Sequence, residues 1–220
     1  FLPQKPVFET GSRSGIWDVS WQVSDSFKLE NKLVYARYDN DRIHLPMSVH
    51  PQGVPATLRG HEVQWEPVLH YRPEGGSVKG LAGLYFIRSV GGRNEFSDAN
   101  RVYAAFAEAD WQFAPQWNLT LAGRLEREEH QRHGGGASLR LDLDKGQTVF
   151  LPKIDLSYRP GEHFTAGLKL ARGYNPGGAG ITFGRPVLTY TYQPEYINNI
   201  ELYTRWRTSD RRLELSGNLF

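Results

Sequence analysis

The chain has no cysteine and a single methionine among 220 residues. Neither a disulfide framework nor thiolate chemistry is open to it, and the absence suits a protein exported through an oxidising compartment. It also lacks any run approaching the roughly 18 apolar residues that a membrane-spanning helix requires. The opening residues, Phe1-Leu2-Pro3-Gln4-Lys5-Pro6, carry neither a basic start nor an apolar stretch, so no signal peptide is legible there, and export requires a native start elsewhere. An excess of one charge is missing as well. The 26 Lys and Arg against 24 Asp and Glu leave a net charge of +2, spread along the whole length, which speaks against a nucleic-acid partner and its basic stripe.

What the chain has in quantity is large rings. Aromatics make up 13% of it, with 6 Trp and 11 Tyr, yet the mean hydropathy is −0.54. The rings and aliphatics recur at every second position. Trp17, Val19, Trp21 and Val23 alternate with Asp18, Ser20 and Gln22; Trp117, Leu119, Leu121 and Leu125 alternate with Asn118, Thr120, Arg124 and Glu126; Phe150, Ile154, Leu156 and Tyr158 alternate with Lys153, Asp155 and Ser157. Leu81, Tyr85 and Ile87 read as the apolar set of a glycine-softened strand. Period two with one apolar face is the signature of a half-buried strand. The pattern predicts about ten strands of roughly 9–11 residues, the length with which a tilted strand crosses a bilayer. No segment has a helical period.

The connections alternate too. Short polar turns at 23–26, 72–76, 114–116, 159–162 and 208–211 read as hairpins, and longer connections are expected at 39–60, 91–100, 130–148 and 174–197. Short turns on one end and long loops on the other match periplasmic turns and extracellular loops of an outer-membrane barrel. A soluble sandwich also alternates, but three features together favour the barrel. The polar face is charged on strand after strand. Tyr71, Phe113, Trp117, Tyr158, Phe164 and Trp206 stand beside the short turns like a girdle at a headgroup boundary, and every long loop falls on one end. Lumen-facing Glu126, Glu128, Asp155 and Glu201 alternate with Arg124, Lys153, Arg205 and Arg207, which predicts cross-strand charge pairing in a wet interior rather than catalytic carboxylate pairs.

The C-terminal third carries a more specific signal. Leu151-Pro152-Lys153 opens a strand that ends on Leu156 and Tyr158; Arg172-Gly173-Tyr174 leads into Pro176-Gly177-Gly178; and Pro194-Glu195 precedes Glu201-Leu202. In this order and at hairpin spacing, these motifs resemble the barrel strands of TonB-dependent outer-membrane receptors of the siderophore-receptor kind. Beyond 150–220 the likeness is architectural only. The resemblance implies a bacterial outer-membrane location and a 22-stranded transmembrane antiparallel barrel. This chain supplies about ten of those strands as a partial, all-β, single barrel domain over 1–220, with the plug absent. It implies as partners the membrane lipid, the plug and remaining strands of a parent chain, a TonB complex acting through the missing N-terminal region, and a metal chelate, ferric siderophore before haem or cobalamin. It implies no cofactor and no catalysis. Tyr203-Thr204-Arg205-Trp206 departs from the family's pattern, and Phe220 stands where the family continues, so it is expected to be a truncation point.

Candidate ligand contacts sit in the long connections. Tyr174, Phe183, Arg185, Tyr190 and Tyr192 lie within 174–197, where rings and a guanidinium suit an aromatic, anionic chelate. His130, Arg132 and His133 precede Gly134-Gly135-Gly136 in another loop; two histidines three apart on flexible backbone are poor metal ligands, and a solvated loop is the expected setting. The rival functions are a passive pore or structural barrel and, more remotely, a barrel-embedded hydrolase.

Overall fold

A computed structural model of the chain describes residues 7–43, 55–93, 96–135, 140–182, 186 and 188–220. Its main body is one antiparallel sheet. The strands are β1 (Val7–Gln22), β2 (Phe27–Ile43), β3 (Pro55–Tyr71), β4 (Val78–Arg93), β5 (Phe96–Ala114), β6 (Trp117–Gly134), β7 (Leu141–Gly161), β8 (Phe164–Asn175), β11 (Glu195–Arg207) and β12 (Glu214–Leu219). They pair in chain order as a 10-stranded sheet, each with its sequence neighbour, except that β8 passes to β11. Between these two, β9 (Gly178–Ile181) and β10 (Thr189–Tyr192) form a separate 2-stranded hairpin. Among the described residues β1 and β12 each have one neighbour, so both edges of the sheet are open.

Period two fixes the two faces, because directly opposed residues point the same way. Leu121 stands opposite Ala109 and Ile154, and Leu125 opposite Ala105 and Phe150. That outward face is apolar from Leu29 on β2 to Leu202 on β11 and is widely exposed, with Leu121 at 47% and Ile200 at 63%. The inward face carries the charges. Lys153 Nζ reaches Glu108 Oε2 at 2.9 Å, Lys169 Nζ reaches Glu201 Oε2 at 2.9 Å, and the Tyr203 hydroxyl donates to Asp155 at 2.8 Å. The charge pairing is therefore real but not always between the expected partners: Glu126 binds Arg124 along its own strand, and Arg205 and Arg207 both turn to Glu214.

Among the described residues no second layer covers the sheet apart from the β9–β10 hairpin, and no large side chain is fully buried. What closes the outward face at its lower edge is a chain of rings. Trp111, Phe113, Trp117 and Tyr158 follow one another at centroid distances of 5.6, 6.4 and 4.7 Å, and Phe27 meets Tyr71 at 5.0 Å. Of these, Tyr71, Phe113, Trp117 and Tyr158 are girdle positions expected from the sequence; Phe27 and Trp111 are additional, and the expected Phe164 and Trp206 stand directly opposed on β8 and β11. Within the apolar band the described polar side chains that face out are Asn31 and Thr204, and the Asn31 carbonyl accepts the indole N–H of Trp65 at 2.7 Å. An amide facing hydrocarbon needs such a partner.

Three features differ from the sequence reading. The strands are longer than 9–11 residues, with β7 reaching 21, because pairing continues past the apolar band into charged residues that still alternate. The expected connections shrink accordingly. Residues 39–43 and 55–60 belong to β2 and β3, 91–93 and 96–100 to β4 and β5, and 130–134 and 141–148 to β6 and β7; the tips at 44–54, 94–95 and 136–139 lie outside the described residues. Finally, Leu81, Tyr85 and Ile87 face inward, opposite Glu108, Ala104 and Val102, while Leu84 and Phe86 take the outward face opposite Ala105 and Tyr103. β4 is apolar at both parities, and Arg124 settles which ring turns in by packing over Tyr85 at 4.9 Å.

Two stability predictions follow from the faces. A charged residue at outward Leu121 (Leu121→Lys) should cost on the order of 2 kcal/mol of barrel stability in bilayers, whereas Thr120→Lys on the inward face, directly opposed to Asp110 and Asp155, should cost little; equal tolerance in urea titrations of the lipid-inserted protein would reverse the assigned faces. Trp65→Phe should destabilise by about 1–3 kcal/mol, since it strands the Asn31 amide. The double change Trp65→Phe/Asn31→Leu should recover most of that loss, and no recovery would mean that the indole acts by packing alone.

Candidate functional site

The candidate site is built where β7 and β8 part. Their ladder runs from Tyr158↔Ala166 to Lys153↔Ala171 and stops there. Pro152 is the next residue of β7, and with no N–H to donate it marks a natural end to pairing on one side of a central strand. Beyond it, β7 stays with β6 as far as Leu141↔Gly134, while β8 stays with β11 as far as Asn175↔Glu195. The Leu-Pro-Lys motif thus lies at a fork.

Side chains from both arms of the fork meet above it. Tyr174 and Tyr196 are directly opposed on β8 and β11, with ring centroids 5.6 Å apart. The Arg172 guanidinium lies 4.2 Å from the centre of the Tyr196 ring, a cation–π distance. Across the fork, Gln147 of β7 donates from Nε2 to the Tyr196 hydroxyl at 2.8 Å. The Tyr174 hydroxyl donates to Glu128 Oε2 at 3.4 Å, and Asn100 Nδ2 donates to Glu128 Oε1 at 3.2 Å. Glu128 is 8% exposed. Burial and the neighbouring Glu128 carboxylate push the Tyr174 phenol up to about 12, so it remains a donor at any ordinary pH.

The β9–β10 hairpin rests over the free arm of β7. Ala179 packs with Leu141, Leu143 and Phe96, the most enclosed apolar cluster among the described residues, and Arg132 of β6 donates to the Ala179 carbonyl at 3.1 Å. Tyr190 and Tyr192 project from the same face of β10 with centroids 6.4 Å apart, and both remain about half exposed, at 49% and 48%. The Pro-Gly-Gly motif explains how the hairpin folds so tightly: a Cβ at Gly177 would stand 2.6 Å from the Tyr192 carbonyl oxygen, and one at Gly178 2.6 Å from the Tyr192 hydroxyl. Glycine is what lets the Tyr192 strand close against this turn. Pro176, Pro194 and Glu195 complete the two ends of the connection.

The residues picked from the sequence are therefore partly united. Tyr174, Arg172 and Gly173 stand at the fork, Tyr190 and Tyr192 on the hairpin above it, and Arg132 ties the hairpin down. Phe183 and Arg185 lie outside the described residues. His130, Arg132 and His133 are strand residues of β6, not loop residues, and alternation splits them. His130 Nε2 lies 3.0 Å from Asp98 Oδ1, with Arg132 Nε 2.8 Å from the other oxygen of the same carboxylate, whereas His133 points to the opposite face and Asp142. Tyr196, Glu128, Asn100 and Gln147 had not been singled out as site residues. Only the register of the β8–β11 pair shows that Tyr196 opposes Tyr174.

Lower on the inward face a concavity of about 650 Å³ opens, lined by Glu66, Tyr85, Phe106, Glu108, Arg124 and Lys153. Arg124 packs over both rings, at 4.9 and 6.0 Å, and is held by Glu126 at 2.6 Å. The wall thus presents a fixed pattern of charge and aromatic surface to whatever occupies the space it faces.

A family model described as TonB dependent receptor-like, beta-barrel matches residues 6–220. The fold is similar to several solved receptors. The siderophore receptor PiuA from Acinetobacter baumannii aligns with a TM-score of 0.75 at 13% identity, over 95% of this chain and 39% of that one. The ferric yersiniabactin uptake receptor FyuA from Yersinia pestis gives 0.71 at 15% identity, over 93% and 34%. The alcaligin outer membrane receptor FauA from Bordetella pertussis gives 0.72 at 14%, over 96% and 36%. The chain spans between a third and two fifths of the length of these proteins, and they are receptors rather than enzymes. With nearly its whole length matched by the barrel model and a sheet that follows the same course, the chain belongs to the TonB-dependent receptor β-barrel family.

Proposed function

We propose that this chain forms part of the wall and outer mouth of a bacterial outer-membrane receptor that imports a ferric siderophore or similar metal chelate by energised, ligand-gated transport. The observation that carries this reading is the concentration of rings and cations at one end of the sheet. Tyr174, Tyr196 and Arg172 stand at the fork, and the half-exposed Tyr190 and Tyr192 lie above them. Such a surface binds a flat anionic chelate through stacking and charge, with no bond made or broken. Family membership and the siderophore receptors among similar folds support the same ligand class. The concave charged wall is the face turned to the plug in this reading. The plug, the strands that pair with the β1 and β12 edges, and the segment contacted by the TonB complex belong to the rest of the receptor.

Quenching of tryptophan fluorescence in the full-length protein, titrated with a panel of ferric catecholate and ferric hydroxamate chelates, tests this. At least one chelate should bind, and Tyr190→Ala/Tyr192→Ala should weaken it about tenfold, the loss expected for two stacking rings at roughly 0.5–1.5 kcal/mol each. Binding of no chelate, or an unchanged affinity in the variant, would count against the reading. At the fork, Tyr174→Phe should remove one tyrosine from the group that ionises near 12 in ultraviolet titration of the folded protein. Because the folded phenol is raised, its contribution to stability is intact below about 10 and lost as pH climbs towards 12, so the variant should be less sensitive to that range.

A further inference from the structure

Immediately above the apolar band the outward face carries a tier of basic residues, with acidic ones such as Asp39 and Glu129 one step beyond it. On five strands the first charged outward residue above the band of rings and aliphatics is arginine, although on β4 and β5 Val90 and Ala99 follow one outward step beyond it. Arg13 follows Gly15 and Trp17 on β1, Arg37 follows Tyr35 on β2, and Arg88 follows Phe86 on β4. Arg101 follows Tyr103 on β5 and Arg127 follows Leu125 on β6. The opposite edge of the band has no such tier: it ends in the ring girdle and the short turns.

Two of these arginine pairs are directly opposed, Arg13 with Arg37 and Arg88 with Arg101. Like charges in that position destabilise a sheet unless something neutralises them. The protein neutralises them only in part. Asp39 lies 3.7 Å from both Arg37 and Arg59, Glu129 lies 3.9 Å from Arg101, and only Arg127 reaches hydrogen-bond distance of a carboxylate, at 3.1 Å from Glu129. Arg13 and Arg88 have no anionic partner among the described residues and are exposed.

We infer that this tier is a docking surface for anionic, phosphate-bearing lipid headgroups of the outer leaflet. The argument is one of charge complementarity at a fixed height. Guanidinium groups with unfilled donors stand one residue pair above the rings and aliphatics that meet acyl chains, which is the level of the headgroup phosphates. Bound phosphates would bridge the opposed arginines and remove their repulsion. The inference rests on the outer-membrane reading above.

The test uses the full-length receptor reconstituted in phosphatidylcholine vesicles with and without phosphatidylglycerol, compared with Arg13→Gln/Arg88→Gln/Arg101→Gln. The wild type should melt at higher temperature when phosphatidylglycerol is present, and binding of this lipid, counted by native mass spectrometry, should weaken at least about tenfold in the triple variant. In neutral detergent without lipid the variant should be as stable as the wild type or more so, since its like-charge pairs are gone; a purely structural role would give the reverse. Arg205→Gln, on the inward face, should keep the lipid preference. A wild type indifferent to phosphatidylglycerol, or a triple variant that keeps the preference, would overturn the inference while leaving the barrel intact. Failure of the wild type to insert into either vesicle would overturn it together with the membrane reading.

Discussion

Pairing of the backbone is the constraint on which everything else here depends. A sheet with one face turned to hydrocarbon can leave no N–H or C=O of that region without a partner, because each would cost several kcal/mol. The sheet meets this by pairing each main strand from β1 to β12 with its neighbour through the apolar band. Once the ladder is obligatory, alternation follows: each residue is committed to one face, and the chemistry of the molecule is sorted by parity. The apolar band, the charged inner wall and the arginine tier are three consequences of that one sorting.

The same constraint explains where the fold departs from regularity. A central strand can drop a neighbour only where the backbone is satisfied otherwise, and β7 does so at Pro152, which has no N–H to leave unpaired. The fork this creates is the place where residues far apart in sequence converge: Glu128 with Tyr174, Gln147 with Tyr196, and Arg132 with Ala179. The aromatic cluster at the fork thus follows from the early ending of the β7–β8 ladder. Its geometry is held by a short hairpin that glycine at 177 allows to close against the Tyr192 backbone carbonyl.

Much of this was legible in the sequence, for reasons that can be named. Alternation is a direct property of strand geometry, so the ten main strands, the five short turns and the ring girdle could be read from spacing alone. Strand length is less legible, because loss of apolar character marks the end of the band and not of the ladder: β6 continues through Glu128, Glu129 and His130 to Gly134, paired with β7 throughout. The face of β4 is ambiguous in the sequence because Leu81, Tyr85 and Ile87 are no less apolar than Leu84 and Phe86; the register against β5 and the contact of Tyr85 with Arg124 decide between them. At the site, sequence proximity brought out Tyr190 and Tyr192 but not Tyr196, whose role depends on the register of β8 against β11. Register is a tertiary fact.

The claim that parity assigns each residue to lipid or lumen is tested most directly by accessibility along one strand. These residues contain no cysteine, so single substitutions from Leu119→Cys to Glu126→Cys on β6 in the full-length receptor, embedded in vesicles, can be labelled with a charged maleimide. Alternation should be strict: reaction at 120, 122, 124 and 126, protection at 119, 121, 123 and 125. Uniform labelling, or protection that follows depth without alternating, would contradict the account at its root.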